Sequence, residues 1–318
     1  MAIRLPRIFR MPENRWILWP PAIFLAVLLF LGGPGYRSPR SLNAAWDLGH
    51  VLAFFLWSYL LVTWNPVRET SPARQTVIIL TFCLVAGVAT EGTQFLLGGD
   101  ASHWDLLRDV VGGVTALSWF SPASKVLPER LRLAARTIAA TLLLVASLPL
   151  VAALSEEGIA RFQFPVLSDF ETPFETCRWE GGARFSLDRS VARHGKASMR
   201  VGLDTSLYSG VALVYFPRNW RGFRFLKMDV LNPSPDGVDI TCRIHDQRHD
   251  EGDQRYEDRY NKVFHLRSGW NEIRVDLGEV AGAPAGRSLD LGTISAVGIF
   301  ATRLPTPRTI FLDHMRLE

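Results

Sequence analysis

Three pairs of polar residues interrupt otherwise apolar stretches of this 318-residue sequence. Asp47 and His50 are three apart near the start of one stretch. Glu91 and Gln94 have the same spacing at the end of another. Asp105 and Asp109 are four apart at the start of a third, with Gly112 one turn on. Residues three or four apart share a helix face. Ionisable residues inside apolar spans are costly and face a bundle interior or a water-filled cavity. The carboxylates of Asp47, Glu91, Asp105 and Asp109, with the His50 imidazole, can hold a divalent cation, or one can act as acid or base on a lipid headgroup. The same residues equally suit an interhelical hydrogen-bond network with Arg108 and His103. No spacing here matches a strong metal motif.

The elements that must position these pairs are five apolar stretches, at 16–31, 48–64, 76–97, 103–120 and 137–154. A membrane-spanning helix needs about 20 mostly apolar residues. The fourth stretch carries His103, Asp105, Arg108 and Asp109 in its first two turns; it is included for its apolar remainder and for Gly112-Gly113, a pair suited to close helix contact. Basic residues set orientation. Arg4, Arg7, Arg10, Arg15, Arg68, Arg74, Lys125, Arg130, Arg132 and Arg136 fall on one side, against Arg37 and Arg40 on the other. Five spans with a cytoplasmic N-terminus deliver the second half to the periplasm of a bacterial inner membrane. Residues 1–155 hold 13 Lys and Arg against 8 Asp and Glu, and the remainder 22 against 23. The basic excess therefore belongs to topology, and nucleic acid is not an expected partner. Three cysteines exclude a disulfide-rich scaffold, and 48% hydrophobic residues exclude bulk disorder.

After a short linker at 155–158 the pattern changes to alternating runs at 198–203, 211–216, 225–231, 238–244, 262–266, 271–275, 296–301 and 309–312. The expected fold is a transmembrane helical bundle over 1–155 followed by an antiparallel β-sandwich, or jelly roll, over 160–318. The only helical turn expected there lies near 289–294. Cys177 and Cys242 fall in the exported half, where the compartment permits a disulfide and buried thiols are equally suitable.

Asp47-x-x-His50, Glu91-x-x-Gln94 and the Asp105–Asp109–Gly112 stretch resemble the VanZ-like membrane family over roughly residues 15–120. The chain departs from that pattern at Asp100, where the family has Arg, and at Asp109, where it has Asn. The resemblance implies a cell-envelope location and no agreed reaction. The second half resembles jelly-roll carbohydrate-binding modules. The resemblance is carried by Asp169-Phe170-Glu171, by His194-Gly195-Lys196-Ala197-Ser198, by Trp220-Arg221-Gly222-Phe223, by Gly269-Trp270-Asn271-Glu272-Ile273, and by Ile310-Phe311-Leu312-Asp313. It implies a structural Ca²⁺ held by Asp169, Glu171 and Asp313, with carbonyls from His194 and Lys196. It also draws attention to the polar stretch 245–261. There His245, Asp246, Tyr256, Arg259, Tyr260 and Asn261 fit sugar recognition, in which rings meet C–H faces and polar forks meet hydroxyls. A solvated loop is the competing reading. His245 and His249 are spaced for a helical metal pair, but the stretch is expected to be non-helical.

Three functions follow. The first is an envelope protein presenting a carbohydrate-binding-like domain to the periplasm, where it engages an envelope or exported glycan. The second is a membrane enzyme or carrier acting on a lipid-linked substrate, such as a lipid-linked saccharide, at the outer leaflet through the Asp47/His50/Glu91/Asp105 group. The third is a structural partner of envelope proteins in polysaccharide export. The bilayer is a partner in all three.

Overall fold

The computed structural model describes residues 15–30, 33–34, 38–96 and 102–318. Arg4, Arg7, Arg10, Arg37 and Asp100 lie outside the described residues, as do Leu31 and Leu97 at the ends of two expected spans. Two units divide the chain between Ala153 and Leu154.

In the first unit a 3-10 turn (Arg15–Leu18) leads into α1 (Trp19–Phe30), whose Pro20 and Pro21 sit in the first turn, where their missing N–H groups cost nothing. Then come α2 (Arg40–Val62), the short α3 (Asn65–Arg68), α4 (Pro72–Leu96), α5 (His103–Phe120) and α6 (Glu129–Gln163). Three of these, α2, α4 and α6, are long and apolar enough to cross a membrane. Large apolar side chains on them, such as Val77, Val85 and Val88 on α4 and Leu133 and Leu144 on α6, are exposed, as lipid-facing residues would be. The five expected spans reduce to three on this measure. The 12 residues of α1 rise about 18 Å, against about 30 Å of bilayer core. The first two turns of α5 are too polar.

Instead α5 runs between α2 and α4. Glycine permits the approach. A Cβ at Gly112 would stand 2.4 Å from the Val51 carbonyl oxygen, and one at Gly113 would stand 2.4 Å from Cys83 Sγ. The small apolar core between these helices holds Ala53, Phe54, Ile79 and Cys83. At the end of the bundle formed by the start of α4 and the end of α5, buried Gln75 donates to the Val67 and Arg68 carbonyls (3.1 and 3.0 Å) and accepts from Ser121 Oγ (2.5 Å).

The second unit is an antiparallel two-sheet sandwich. Its strands are β1 (Val166–Ser168), β2 (Trp179–Glu180), β3 (Arg184–Asp188), β4 (Ser198–Leu203), β5 (Ser209–Leu213), β6 (Phe225–Asn232), β7 (Val238–Asp246), β8 (Tyr260–Leu266), β9 (Gly269–Asp276), β10 (Ile294–Ala301) and β11 (Arg308–Leu317). One sheet has the order β3-β4-β11-β6-β9, with β1 also on β11; the other is β2-β5-β10-β7-β8. From β4 to β7 and from β8 to β11 each successive strand changes sheet, so the core lies between the two. Trp179, Met199, Trp220, Met228, Ile240, Val275, Ile299 and Leu312 fill it.

Three expectations are corrected here, and a choice between disulfide and free thiols that the sequence left open is decided. Residues 155–158 are not a linker, because α6 continues unbroken to Gln163. Arg178, 1% exposed, anchors that stretch, with Glu156 at 3.4 Å, Gln163 Oε1 at 3.0 Å and the Leu167 carbonyl at 2.9 Å. The polar stretch after β7 is partly helical: α7 (Gln247–Glu251) starts at Asp246, whose carboxylate accepts from the His249 N–H. The other short helix is α8 (Leu277–Gly282), capped by Asp276 in the same manner, while 289–294 is not helical. Cys177 and Cys242 form no disulfide; Cys177 is exposed, and Cys242 is buried in β7.

Candidate functional site

The polar pairs of the bundle meet. Because α2 begins at Arg40 rather than near 48, Asp47 and His50 lie inside the helix, about two and three turns from its start. They face the end of α4 and the beginning of α5. His50 is 3% exposed and its Nδ1 donates to Asp109 Oδ1 at 3.0 Å. Its Nε2 stands 3.9 Å from Asp105 Oδ2. Arg108 bridges Asp105 Oδ1 and Asp47 Oδ2, the latter at 2.7 Å. Glu91 Oε2 accepts the Ser102 N–H at 2.6 Å, and Gln94 donates to the Leu29 carbonyl at 2.8 Å. Gln94 therefore ties α4 to α1 rather than entering the cluster. Glu91 Oε1 and Asp109 Oδ2 are buried without hydrogen-bond partners.

A second group lies on the outer face of the β2-β5-β10-β7-β8 sheet. Period-two alternation sends Val238, Ile240, Cys242 and Ile244 of β7 into the core. Thr241 and Arg243 therefore face outward. Directly paired residues share a face, so register assembles two rows. One is Asn261, Arg243, Gly298, Ala212 and Glu180; the other is Val263, Thr241, Phe300 and Gly210. Small residues at Gly298, Ala212 and Gly210 leave a strip over which Arg243 lies. A Cβ at Gly298 would meet its Nε at 3.4 Å. The Arg243 guanidinium is 5.9 Å from the Phe300 ring centroid, Phe300 meets Tyr208 edge-on at 5.8 Å, and Arg259 stands 5.5 Å from the Tyr256 ring.

Arg243 Nε, Arg259 Nε and Asn261 Oδ1 are buried without hydrogen-bond partners. Burial first, and then the adjacent Arg259 charge, pulls the Arg243 guanidinium below its ordinary pKa. Among the described residues neither arginine has a carboxylate partner. The face thus offers guanidinium forks, an amide oxygen and aromatic rings together. Arg243, Thr241, Tyr208 and Phe300 were not singled out from sequence. Alternation within 238–244 marks the first two as outward, but only pairing with β10 brings Phe300 beside them.

Of the six residues expected to touch sugar, Tyr256, Arg259 and Asn261 lie at this face. His245, the penultimate residue of β7, is only 6% exposed, with Nε2 2.9 Å from Asp250. Its ring lies 4.9 Å from that of His249, which pairs with Asp258 at 3.3 Å. Two placements are corrected. Asp246 is fully buried: it accepts from Arg287 Nη1 (2.6 Å) and Nη2 (2.8 Å) and from the Asp290 (2.9 Å) and His249 (3.1 Å) N–H groups. Burial alone would raise its pKa, but these donors outweigh it and hold the carboxyl down to about 2. Tyr260 starts β8 facing the core, 4% exposed, because its backbone pairs with core-facing Ile244.

The expected calcium ligands come together in part. Asp313 Oδ2 accepts the Arg193 and His194 N–H groups (2.7 and 2.9 Å), and Glu171 Oε1 accepts those of Lys196 and Ala197 (2.6 and 3.0 Å). The two acids thus grip one turn. Asp313 Oδ1 is buried with no hydrogen-bond partner, which fits a cation ligand. Burial raises the Asp313 pKa against the pull of those amides. Asp169 does not join them; it sits beside Glu175, burial and that neighbour pushing its carboxyl up to about 6.

No protein-family model matches the chain, and no curated protein does. Solved structures do. An exo-beta-agarase matches at TM-score 0.40 and 16% identity, over 48% of this chain and 24% of that one. A family 11 carbohydrate-binding module from Clostridium thermocellum, solved with a beta-1,3-1,4-mixed-linked tetrasaccharide, matches at TM-score 0.38 and 16% identity, over 48% of this chain and 93% of the module. A family 30 module of a Clostridium thermocellum cellulase matches at 0.33 and 16%, over 44% and 86%. Likeness at this level says nothing of what this chain binds.

Proposed function

We propose that this is a membrane-anchored glycan-binding protein of the bacterial envelope, whose sandwich takes an envelope or exported saccharide on the outer face of the β2-β5-β10-β7-β8 sheet. The observation that carries the reading is the Arg243–Arg259 pair. Two partly buried guanidinium groups, near enough for the charge of one to act on the other, stand with Asn261 Oδ1 on the sheet face that carries Phe300, Arg259 over the Tyr256 ring. Planar forks of this kind suit vicinal hydroxyls and sugar carboxylates, and the rings suit C–H faces. Three helices long and apolar enough to cross a membrane are, like the five expected from sequence, an odd number, which with the N-terminus inside supports an outward-delivered second half. The sandwich is then periplasmic. A structural Ca²⁺ held by Asp313 and Glu171 belongs to the same reading.

The test is a glycan array on residues 154–318, a segment whose hydrophobic core is closed within itself. Binding that the Arg243→Ala/Arg259→Ala pair abolishes supports the site. A folded domain with no glycan hit refutes it and favours a protein partner in the envelope. Reporter fusions after residues 98, 125 and 158 test topology; a cytoplasmic signal at 158 removes access to envelope glycans.

A further inference from the structure

We infer that His50, Glu91 and Asp105 form a binding site for a divalent transition-metal ion inside the helical bundle, independent of the glycan-binding face. Among the described residues they are the one group of three or more His, Cys, Asp or Glu whose ligating atoms all lie within 4.8 Å of one another. Two ligands on one tetrahedral zinc stand about 3.4 Å apart, from bond lengths of about 2.0–2.2 Å. The His50 Nε2 to Asp105 Oδ2 separation of 3.9 Å needs only a small side-chain adjustment to reach that.

The supporting contacts give each ligand a fixed end and a presented end. Asp109, 0% exposed, holds His50 Nδ1 and so leaves Nε2 as the lone-pair nitrogen. The Ser102 N–H holds Glu91 Oε2 and leaves Oε1 buried without a partner. Arg108 holds Asp105 Oδ1 and leaves Oδ2 facing the imidazole. A carboxylate behind a ligating histidine is the usual outer-shell device that fixes tautomer and ring orientation.

Charge points the same way. Arg108 pairs with Asp47 and Asp105, while Asp109 meets His50, and Glu91 stands within the same group, ion-paired with no guanidinium among the described residues. Uncompensated anions in a low-dielectric bundle are costly, and a divalent cation removes most of the excess. The imidazole among the ligands favours a zinc-like ion over calcium or magnesium, which take oxygen ligands. Three protein ligands leave a coordination position for water or a bound molecule.

The experiment uses the full chain in detergent micelles, purified through a histidine-free tag, stripped with chelator and titrated with ZnCl₂. Mass spectrometry of bound metal and calorimetry are the readouts. The expected result is about one zinc per chain, as for a single protein-built site. Glu91→Gln and Asp105→Asn should each weaken it at least tenfold while eluting as wild type on gel filtration. Asp109→Asn, acting through His50, should keep the stoichiometry and weaken affinity about 10–100-fold. Should a ligand variant misfold, Asp109→Asn and the wild-type titration decide the matter. Wild-type uptake well below one equivalent, or uptake unchanged in the Glu91→Gln/Asp105→Asn pair, overturns the site and leaves a hydrogen-bond network.

Discussion

Replacing Asp246 by Ala should destabilise the sandwich without touching its outer face. The carboxylate is 0% exposed and accepts from both terminal nitrogens of Arg287 and from two backbone N–H groups. Breaking a buried ion pair from one side costs about 3–5 kcal/mol. Arg287 is 21% exposed and keeps Asp258 at 2.8 Å, so part of its charge is recovered by water and by that partner. The expected loss is therefore near the lower bound, about 3 kcal/mol. For a domain of this size that lowers Tm by about 6–12 °C. Asp246→Asn keeps one acceptor and the shape, and should lose roughly half as much. The assay is thermal unfolding of residues 154–318 followed by circular dichroism. The pH dependence supplies a second arm. A folded pKa held near 2 lies below the unfolded value of about 3.9. The stabilisation is complete above the unfolded pKa and is lost as pH falls from about 4 towards 2. In Asp246→Ala this component of acid sensitivity should vanish. A Tm change under about 2 °C, with the acid limb unchanged, would show that the Arg287 clamp does not form in solution.

Three other outcomes follow from the same contacts. Gly112→Leu drives a side chain into the Val51 and Phe55 backbone and should cost at least the 1–3 kcal/mol typical of overpacking; thermal aggregation of the detergent-solubilised chain at wild-type temperature would contradict this. Arg243→Ala and Arg259→Ala should each weaken glycan binding about tenfold or more, from a charged hydrogen bond of about 1.5–3 kcal/mol, with Tm unchanged. Calcium at about 100 times its dissociation constant should stabilise residues 154–318 by about 2.7 kcal/mol, and Asp313→Asn should abolish the shift; equal Tm values in calcium and chelator would remove the ion from the account.

Much of this protein is written in local pattern. Runs such as 198–203 reappear as β4 at the same bounds, and 103–120 reappears as α5, because alternation and apolar content are properties of neighbouring residues. β1, β2 and β3 escaped: they are short, and β1 exists only because β11 offers it an edge. The break expected at 155–158 escaped too, since its polar residues read as a linker until Arg178, far along the chain, is seen to anchor Glu156 and Gln163. The polar pairs of the bundle were visible as spacings. That Asp109 backs His50 while Arg108 bridges Asp105 and Asp47 was not, because glycine contacts between α2, α4 and α5 decide it. Asp246 and Arg259 look alike in a polar run; one was decided inward by Arg287 and the other outward beside Arg243. Composition and periodicity determine which elements form and which faces they bury. Register and helix packing, which join residues dozens of positions apart, determine which polar atoms find partners and which are left to meet a ligand.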